Sequence, residues 1–247
     1  MSGPAGRVVV LTGATGSAGT ATARALVAAG ATVLAVGQSA QRLSMLAERI
    51  PGISVAVADL GDPSAVDELA NGMRNRYGPV DGLVHLVGGY RGGATFTSNT
   101  DTDWDLLSGA LIDTLRHITL ALHDDLARSP ADRAVIVSAR TAQSPTAGSA
   151  NYAAAKAAAE AWMLALADSL RRAQSGLGPG PDGSPVPQTS AATILVVKGL
   201  VDGRMRAESP TRKFPGFTDV DDLAARIVGL WSSDAAALNG ARIELDV

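Results

Sequence analysis

Residues 7–19 read Arg7-Val8-Val9-Val10-Leu11-Thr12-Gly13-Ala14-Thr15-Gly16-Ser17-Ala18-Gly19. A β-branched run leads into a glycine-rich turn, and a helical pattern follows to about Ala29, giving strand, turn and helix in that order. Glycines without a Cβ let backbone approach a ligand closely, and a helix start presents free N–H groups to an anion. That is the chemistry a dinucleotide pyrophosphate requires. Gly13, Thr15, Gly16, Ser17, Ala18 and Gly19 are therefore candidate cofactor contacts. The turn by itself is common in α/β proteins, so the rest of the chain has to support it.

Downstream the alternation continues. Strands are expected at Thr32–Val36, Ile53–Ala58, Gly82–Val87, Ala134–Ser138, Thr193–Val197 and Arg242–Asp246, with helical patterns between them. One stretch, about 174–190, is rich in glycine and proline and reads as a surface loop rather than a domain boundary. The segment from Val201 to Phe217 reads as irregular. It carries Arg204, Arg206, Arg212 and Lys213 against Asp202 and Glu208, a basic loop able to close over an anionic substrate or a cofactor phosphate. One doubly wound α/β domain over residues 1–247, with about seven parallel strands, is the economical expectation.

Composition narrows the function. The 247 residues carry a net charge of −3, which gives no support to nucleic-acid or membrane-surface binding. There is no cysteine, so disulfides, thiolate metal sites and cysteine nucleophiles are excluded, and no metal is expected. The N-terminal stretch lacks a signal-peptide apolar region, and no run approaches the length of a membrane span, so a cytoplasmic protein is expected.

Several positions stand out for chemistry. After the second strand come Gly37-Gln38-Ser39, with Arg42 a turn later and no acid to repel a 2′-phosphate; this favours NADP(H) over NAD(H), with Gln38 and Arg42 as contacts. Asp59-Leu60 ends the third strand, where Asp59 either meets an adenine amine or caps a helix near Asp62-Pro63. Val87-Gly88-Gly89-Tyr90-Arg91-Gly92-Gly93 ends the fourth. Its glycines suit close backbone approach to a ligand, and Tyr90 and Arg91 are candidate pocket walls. Thr100 and Asp103 have capping-box spacing ahead of a long helix to about Leu126. His85 faces the glycine cluster, and His117 is assigned no role.

Asn151-Tyr152-Ala153-Ala154-Ala155-Lys156 heads an alanine-rich helix from Ser149 or Ala150 to about Arg172. Tyr152 and Lys156 lie four apart, one above the other on a single face. The spacing is rare by chance in a chain with three tyrosines and three lysines. A neighbouring ammonium is expected to lower the phenol pKa from about 10 toward the range useful for proton transfer. The competing reading is a packed tyrosine beside a solvated lysine.

Together, the glycine turn, Asp59-Leu60, Asp81-Gly82-Leu83-Val84, Tyr152-x-x-x-Lys156 and the tail Ser233-Asp234…Asn239-Gly240…Ile243-Glu244-Leu245-Asp246 resemble the short-chain dehydrogenase/reductase family along the whole chain. The resemblance implies a Rossmann-type fold binding NAD(P)(H) and hydride transfer at a carbonyl-like carbon. Tyr152 would be the proton donor or acceptor, with Lys156 lowering its pKa and binding the nicotinamide ribose. It also implies a homodimer or homotetramer built on the helices of Trp104–Leu126 and Ala150–Leu170, and a cofactor contact at Gly199.

The chain departs from that pattern. Ser17 stands where the family has its middle glycine, and His85-Leu86-Val87-Gly88 replaces Asn-Asn-Ala-Gly. Leu111 stands for the relay asparagine, Lys198-Gly199 for Pro-Gly, and Ala139 for the serine thirteen residues before the tyrosine. Ser138 is one place early and could substitute only if a bulge re-aimed it. Losing the serine removes a hydrogen bond of typically about 3 kcal/mol to the developing alkoxide. The serine's absence, the Gly88–Gly93 loop and the triplet Ser138-Ala139-Arg140 are similar to the dihydropteridine reductase branch, which places Ala139 and Arg140 at the substrate pocket. That branch carries an acid after its second strand and uses NADH, unlike this chain. Three functions follow: reduction of a conjugated, electron-poor C=O or C=N such as a quinone-like or pterin-like ring; redox-neutral acid–base catalysis by Tyr152; or cofactor binding without catalysis.

Overall fold

In the computed structural model, residues 3–175 and 186–245 are described. The first six strands are β1 (Val8–Thr12), β2 (Thr32–Gly37), β3 (Ser54–Val57), β4 (Gly82–His85), β5 (Arg133–Ala139) and β6 (Ala191–Val197). The pair β7 (Leu200–Val201) and β8 (Thr218–Asp219) lies apart from the main sheet, and β9 (Arg242–Glu244) closes it. Seven strands form one parallel sheet in the order β3-β2-β1-β4-β5-β6-β9. The order reverses beside β1, which pairs with both β2 and β4 and so leaves a crevice at its carboxyl end.

Alternation along the strands explains the layers. Val10, Leu34, Leu83 and Ile136 point to one face, against α3 (Pro63–Tyr77), α5 (Thr114–Arg128) and α6 (Ala150–Ser175). Val9, Leu11, Val33 and Val135 point to the other, against α1 (Ser17–Ala28), α2 (Ala40–Arg49) and α8 (Val220–Gly229). A parallel sheet covered on both faces needs near-continuous apolar strands, and β6 is buried along its full length. β3, at the sheet's edge, instead alternates with partly exposed positions.

Three expectations need correction. The helix entering from Thr100 is not continuous. After α4 (Asp101–Ser108) the backbone widens into a π-helical turn over Gly109–Asp113 before α5. Leu111, inside that turn, packs with Leu107 and Ala155 instead of supplying a polar relay. The segment from Val201 to Phe217 is not wholly irregular, because Asp202 accepts from the Met205 N–H at 2.8 Å and caps α7 (Gly203–Glu208). The loop expected at about 174–190 does not begin at 174: residues 176–185 lie outside the described residues, and Gln174 belongs to α6. Its side-chain amide donates to the Thr189 and Ser190 hydroxyls at 2.9 and 2.8 Å. The expected strand end at Asp246 also lies outside the described residues. No helix among the described residues is long and apolar enough to cross a membrane.

Gly82 shows how tightly the core meets the sheet. A Cβ there would sit 2.6 Å from Cζ2 of Trp231. Gly82→Ala should therefore cost about 1–3 kcal/mol through overpacking. That corresponds to a fall in melting temperature of roughly 2–4 °C per kcal/mol. A thermal melt with no fall would contradict the packing described.

Candidate active site

The glycine turn is built by contacts that only glycine permits. Gly13 has φ +72°, and a Cβ on it would lie 2.5 Å from the Leu86 carbonyl carbon. A Cβ on Gly19 would lie 2.3 Å from the Gly13 oxygen, so α1 rests directly on the turn. Gly16 differs, since a Cβ there would meet only the Gly13 oxygen at an ordinary 3.5 Å. It is the helix N-cap, supplies no side-chain cap, and is followed by a first turn without acids. The first N–H groups of α1 are thus without a side-chain cap, an arrangement that fits a pyrophosphate. Ser17 and Ala18 are in that first turn, and Ala18 also lines the main cleft.

Beside the turn, Arg42 shares a recess of about 210 Å³ with Thr15, Thr20 and Arg49. Arg49 was not singled out by sequence, although it follows Arg42 by two turns of α2. Gln38 donates to Asp59 Oδ1 at 2.9 Å, and the Gly61 N–H donates to the same oxygen at 2.9 Å. The helix cap offered as an alternative role for Asp59 falls to Asp62, which accepts from the Ser64 N–H at 2.9 Å. Leu60 is buried, and its carbonyl accepts from Nδ1 of His117 at 2.9 Å. That contact is a structural place for His117.

A cleft of about 680 Å³ opens at the carboxyl ends of β4, β5 and β6. It brings together Tyr152, Lys156, Val87, Gly88, Gly89, Tyr90, Ala139 and Gly199 from the sequence candidates. Local hydrogen bonds fix the start of α6, and with it Tyr152. Asn99 accepts from the Asn151 N–H at 3.1 Å and donates to the Ala147 carbonyl at 2.9 Å, while Thr146 and Ser149 form a capping box just upstream. Tyr90 meets the Tyr152 ring edge-on at 5.1 Å between centroids.

The remaining candidates are placed otherwise. Arg91 is exposed and outside the cleft lining, so it is not a pocket wall. Arg140 is outside it too and pairs with Glu244 at 3.6 Å. Ser138 also lines the cleft, but the bulge that would re-aim it toward the place of the family serine is not seen in β5. β5 pairs in unbroken register through Ser138↔Val196 and Ala139↔Val197, so no bulge re-aims it. Its hydroxyl donates to Glu160 Oε1 at 2.5 Å, and Glu160 in turn pairs with Arg242 at 3.1 Å. The glycines of the 88–93 loop also divide. A Cβ on Gly89 would meet nothing within 4 Å, whereas Gly93 is pressed against Ser98 and donates its N–H to the Gly148 carbonyl at 2.7 Å. Packing therefore accounts for Gly93, contrary to the expectation that the whole cluster serves a ligand.

His85 is buried, with Nδ1 2.8 Å from the Thr12 hydroxyl and Nε2 3.2 Å from the Thr114 hydroxyl. Thr114 donates its proton to the Ala110 carbonyl, which assigns Nε2 as the histidine donor and Nδ1 as the acceptor. Burial, helped by the Lys156 charge, lowers its pKa to about 3. A neutral, fully bonded imidazole is structural rather than reactive.

The tyrosine–lysine pair corrects the expected electrostatics. Lys156 Nζ donates to the Val137 carbonyl at 2.7 Å and lies 5.9 Å from the Tyr152 ring centroid. Burial, with a contribution from Tyr90, pushes Tyr152 up to about 12. Burial lowers Lys156 to about 8, against a raising effect of Glu160. Desolvation therefore sets the direction of both shifts, moving each group toward its neutral form without neutralising Lys156 at pH 7. Sequence reading also missed Lys198, Met205 and Phe217 as cleft walls, and Thr141, whose hydroxyl oxygen is buried without a hydrogen-bond partner among the described residues. A lysine in place of the family proline was the one visible signal. No group of acids and histidines able to hold a metal occurs among the described residues.

Comparison with known proteins agrees with this geometry. Residues 7–178 match the family model described as short chain dehydrogenase. The chain belongs to the short-chain dehydrogenase/reductase family of oxidoreductases. It is 28% identical to a meso-2,3-butanediol dehydrogenase of Serratia marcescens, covering 97% of this chain and 93% of that protein. It is 24% identical to an acetoacetyl-CoA reductase of Allochromatium vinosum, with 97% of each covered. A short chain dehydrogenase of Shigella flexneri solved with NADP has the same fold, with a TM-score of 0.82 at 20% identity and 98% of each chain covered. So has an NADPH-bound short chain oxidoreductase of Pseudomonas aeruginosa described as containing an atypical catalytic center, with a TM-score of 0.80 at 22% identity, covering 97% of this chain and 95% of that one.

The lysine gives a stability test. Folded Lys156 releases its proton near 8 and the unfolded side chain near 10.5. Between those values the unfolded state binds more protons, so this group makes stability rise with pH, and below 8 its burial as an ammonium is a cost. Lys156→Met should melt higher than the unsubstituted chain at pH 7, with the gap narrowing from about pH 8 to 10.5. A gap independent of pH would contradict the assigned shift.

Proposed function

We propose that this chain is an NADP(H)-dependent reductase of a conjugated, electron-poor C=O or C=N in a quinone-like or pterin-like ring, with Tyr152 as proton donor. The observation that carries the reading is Tyr152 and Lys156 in one cleft, where Ala139 and Leu111 occupy the places of the family's polar assistants. An easily reduced ring needs little help for its developing oxyanion, so a site with fewer donors suffices. The Shigella structure solved with NADP and the NADPH-bound Pseudomonas structure support the cofactor, and the recess of Arg42 and Arg49 beside Thr15 supports a 2′-phosphate over a bare ribose.

Gly13, Gly16 and Gly19 with the α1 N-terminus would hold the pyrophosphate, Asp59 the adenine, and Gly88, Gly89, Lys156 and Gly199 the nicotinamide end. Reduced nicotinamide, when bound, supplies the hydride. Tyr152 gives its proton to the substrate oxygen or nitrogen as the ring carbon gains the hydride. A phenol held near 12 keeps that proton at neutral pH, the protonation state a donor requires. Lys156, still an ammonium at pH 7, stabilises the phenolate left behind. Exposed Leu106, Leu120 and Leu164, on α4, α5 and α6, support the expected homodimer or homotetramer.

Two measurements test this. With 9,10-phenanthrenequinone, isatin and quinonoid dihydropterin as probes at 340 nm, Tyr152→Phe should lower kcat by about 10²-fold or more. Full turnover of every reducible probe by that variant would reject the proton donor. Arg42→Ala should raise KM for NADPH about 10-fold and leave KM for NADH little changed, since a charge-assisted phosphate contact is worth about 1.5–3 kcal/mol. Equal effects on both cofactors would reject the 2′-phosphate contact.

A further inference from the structure

We infer that Arg212 forms an anion subsite in the cleft, and that the reduced ring carries a carboxylate or sulfonate-like substituent; this rests on the reductase reading above. Among the described residues the cleft is lined by three cations, Lys156, Lys198 and Arg212, and by no aspartate or glutamate. His85, also in the lining, is neutral in its bonded state. Glu160, behind Lys156, is engaged by Ser138 and Arg242. Low-dielectric walls concentrate the field of such uncompensated charge and draw anions in.

Of the three cations, two already have oxygen partners: Lys156 donates to the Val137 carbonyl and Lys198 to the Pro215 carbonyl at 2.8 Å. The other arginines of the same segment are paired as well, Arg204 with Glu208 at 3.8 Å and Arg206 with Asp219 at 3.1 Å. Arg212 has no ion pair among the described residues. Its guanidinium lies 4.9 Å from the Phe214 ring centroid, Phe214 meets Phe217 edge-on at 5.7 Å, and Phe217 is seated on Gly199. A Cβ on Gly199 would lie 2.8 Å from Phe217 Cε2, so glycine at that position is what lets the aromatic prop stand. The chain therefore holds a planar five-donor group at the cleft wall without neutralising it. A guanidinium in that situation suits the two oxygens of a carboxylate or sulfonate. A cofactor phosphate is the other anion this group could meet, but the bare N-terminus of α1 already offers the pyrophosphate its donors.

Isatin and isatin-5-sulfonate, which share one reducible dione and differ in one charge, separate these possibilities. At low ionic strength the unsubstituted enzyme should favour the sulfonate by about 10-fold in kcat/KM, and added salt should shrink the preference. Arg212→Gln, an exposed substitution, should erase the preference, lowering kcat/KM for the sulfonate far more than for isatin and leaving the fluorescence-titrated affinity for NADPH unchanged. Arg212→Lys should restore part of it. No preference in the unsubstituted enzyme, or one that survives Arg212→Gln, overturns the inference while the reductase reading stands. Weakened NADPH binding with equal loss on both diones assigns Arg212 to the cofactor and overturns it too. Turnover of neither dione nor of the quinone and pterin probes rejects the reductase reading, and the inference falls with it.

Discussion

Backbone-to-backbone contact at the glycine turn is the constraint on which the rest depends. Gly19 brings α1 down onto Gly13 and Ala14, and Gly13 brings the same turn against Leu86 and Val87. These contacts seat α1 over the reversal in strand order, beside the carboxyl end of β4. The helix packs there against α8, while β1 supplies Val9 and Leu11 to the same core. A single methyl group at either glycine would separate the layers. Gly16 lies between two positions that leave no space, yet a Cβ on it would meet only the Gly13 oxygen at 3.5 Å, so the turn is tight where it meets protein and leaves room beside the start of α1.

The site shows the opposite economy. At Ala139 and Leu111, where relatives would place polar side chains, this chain is apolar, and its polar groups face elsewhere. Ser138 and Arg242 converge on Glu160, tying β5 and β9 to α6 one turn beyond Lys156. That cluster satisfies a buried carboxylate which would otherwise be costly. It also explains why moving the serine by one place changes its role, because adjacent strand residues face opposite sides of the sheet.

Much of the fold was legible in the sequence because strands buried on both faces must be apolar and helices between them must be amphipathic. The runs Val8–Leu11 and Thr193–Val197 leave few alternatives. The Tyr152–Lys156 pair was legible for the same reason, since helical spacing alone puts the two on one face. The misses have physical causes. A π-helical turn at Gly109–Asp113 costs little and has no local signature beyond Gly109 itself. Helix α7 is short and was hidden by its charges, although Asp202 is an ordinary cap. Gly93 was read as ligand-facing because its partner, Gly148, is remote in sequence. The phenol pKa was misjudged because spacing gives proximity but not burial, and here burial decides the sign.

Burial acts on Tyr152 and Lys156 in one sense, raising the phenol and lowering the ammonium, so each ionises at a cost that the protein has to offset. What compensates is charge held at a distance. A cleft with three cations on its walls and no carboxylate among the described residues favours negative charge inside it, including on an oxygen that is taking up electron density. Such stabilisation does not need a donor at hydrogen-bond distance, as the missing serine would have provided. It is weaker per contact and less directional, and it is most effective for an anion spread over a conjugated ring, where no single oxygen carries the whole charge. Under the proposed function, the apolar residue in the serine's place and the cations of the lining belong to one electrostatic arrangement suited to a delocalised acceptor.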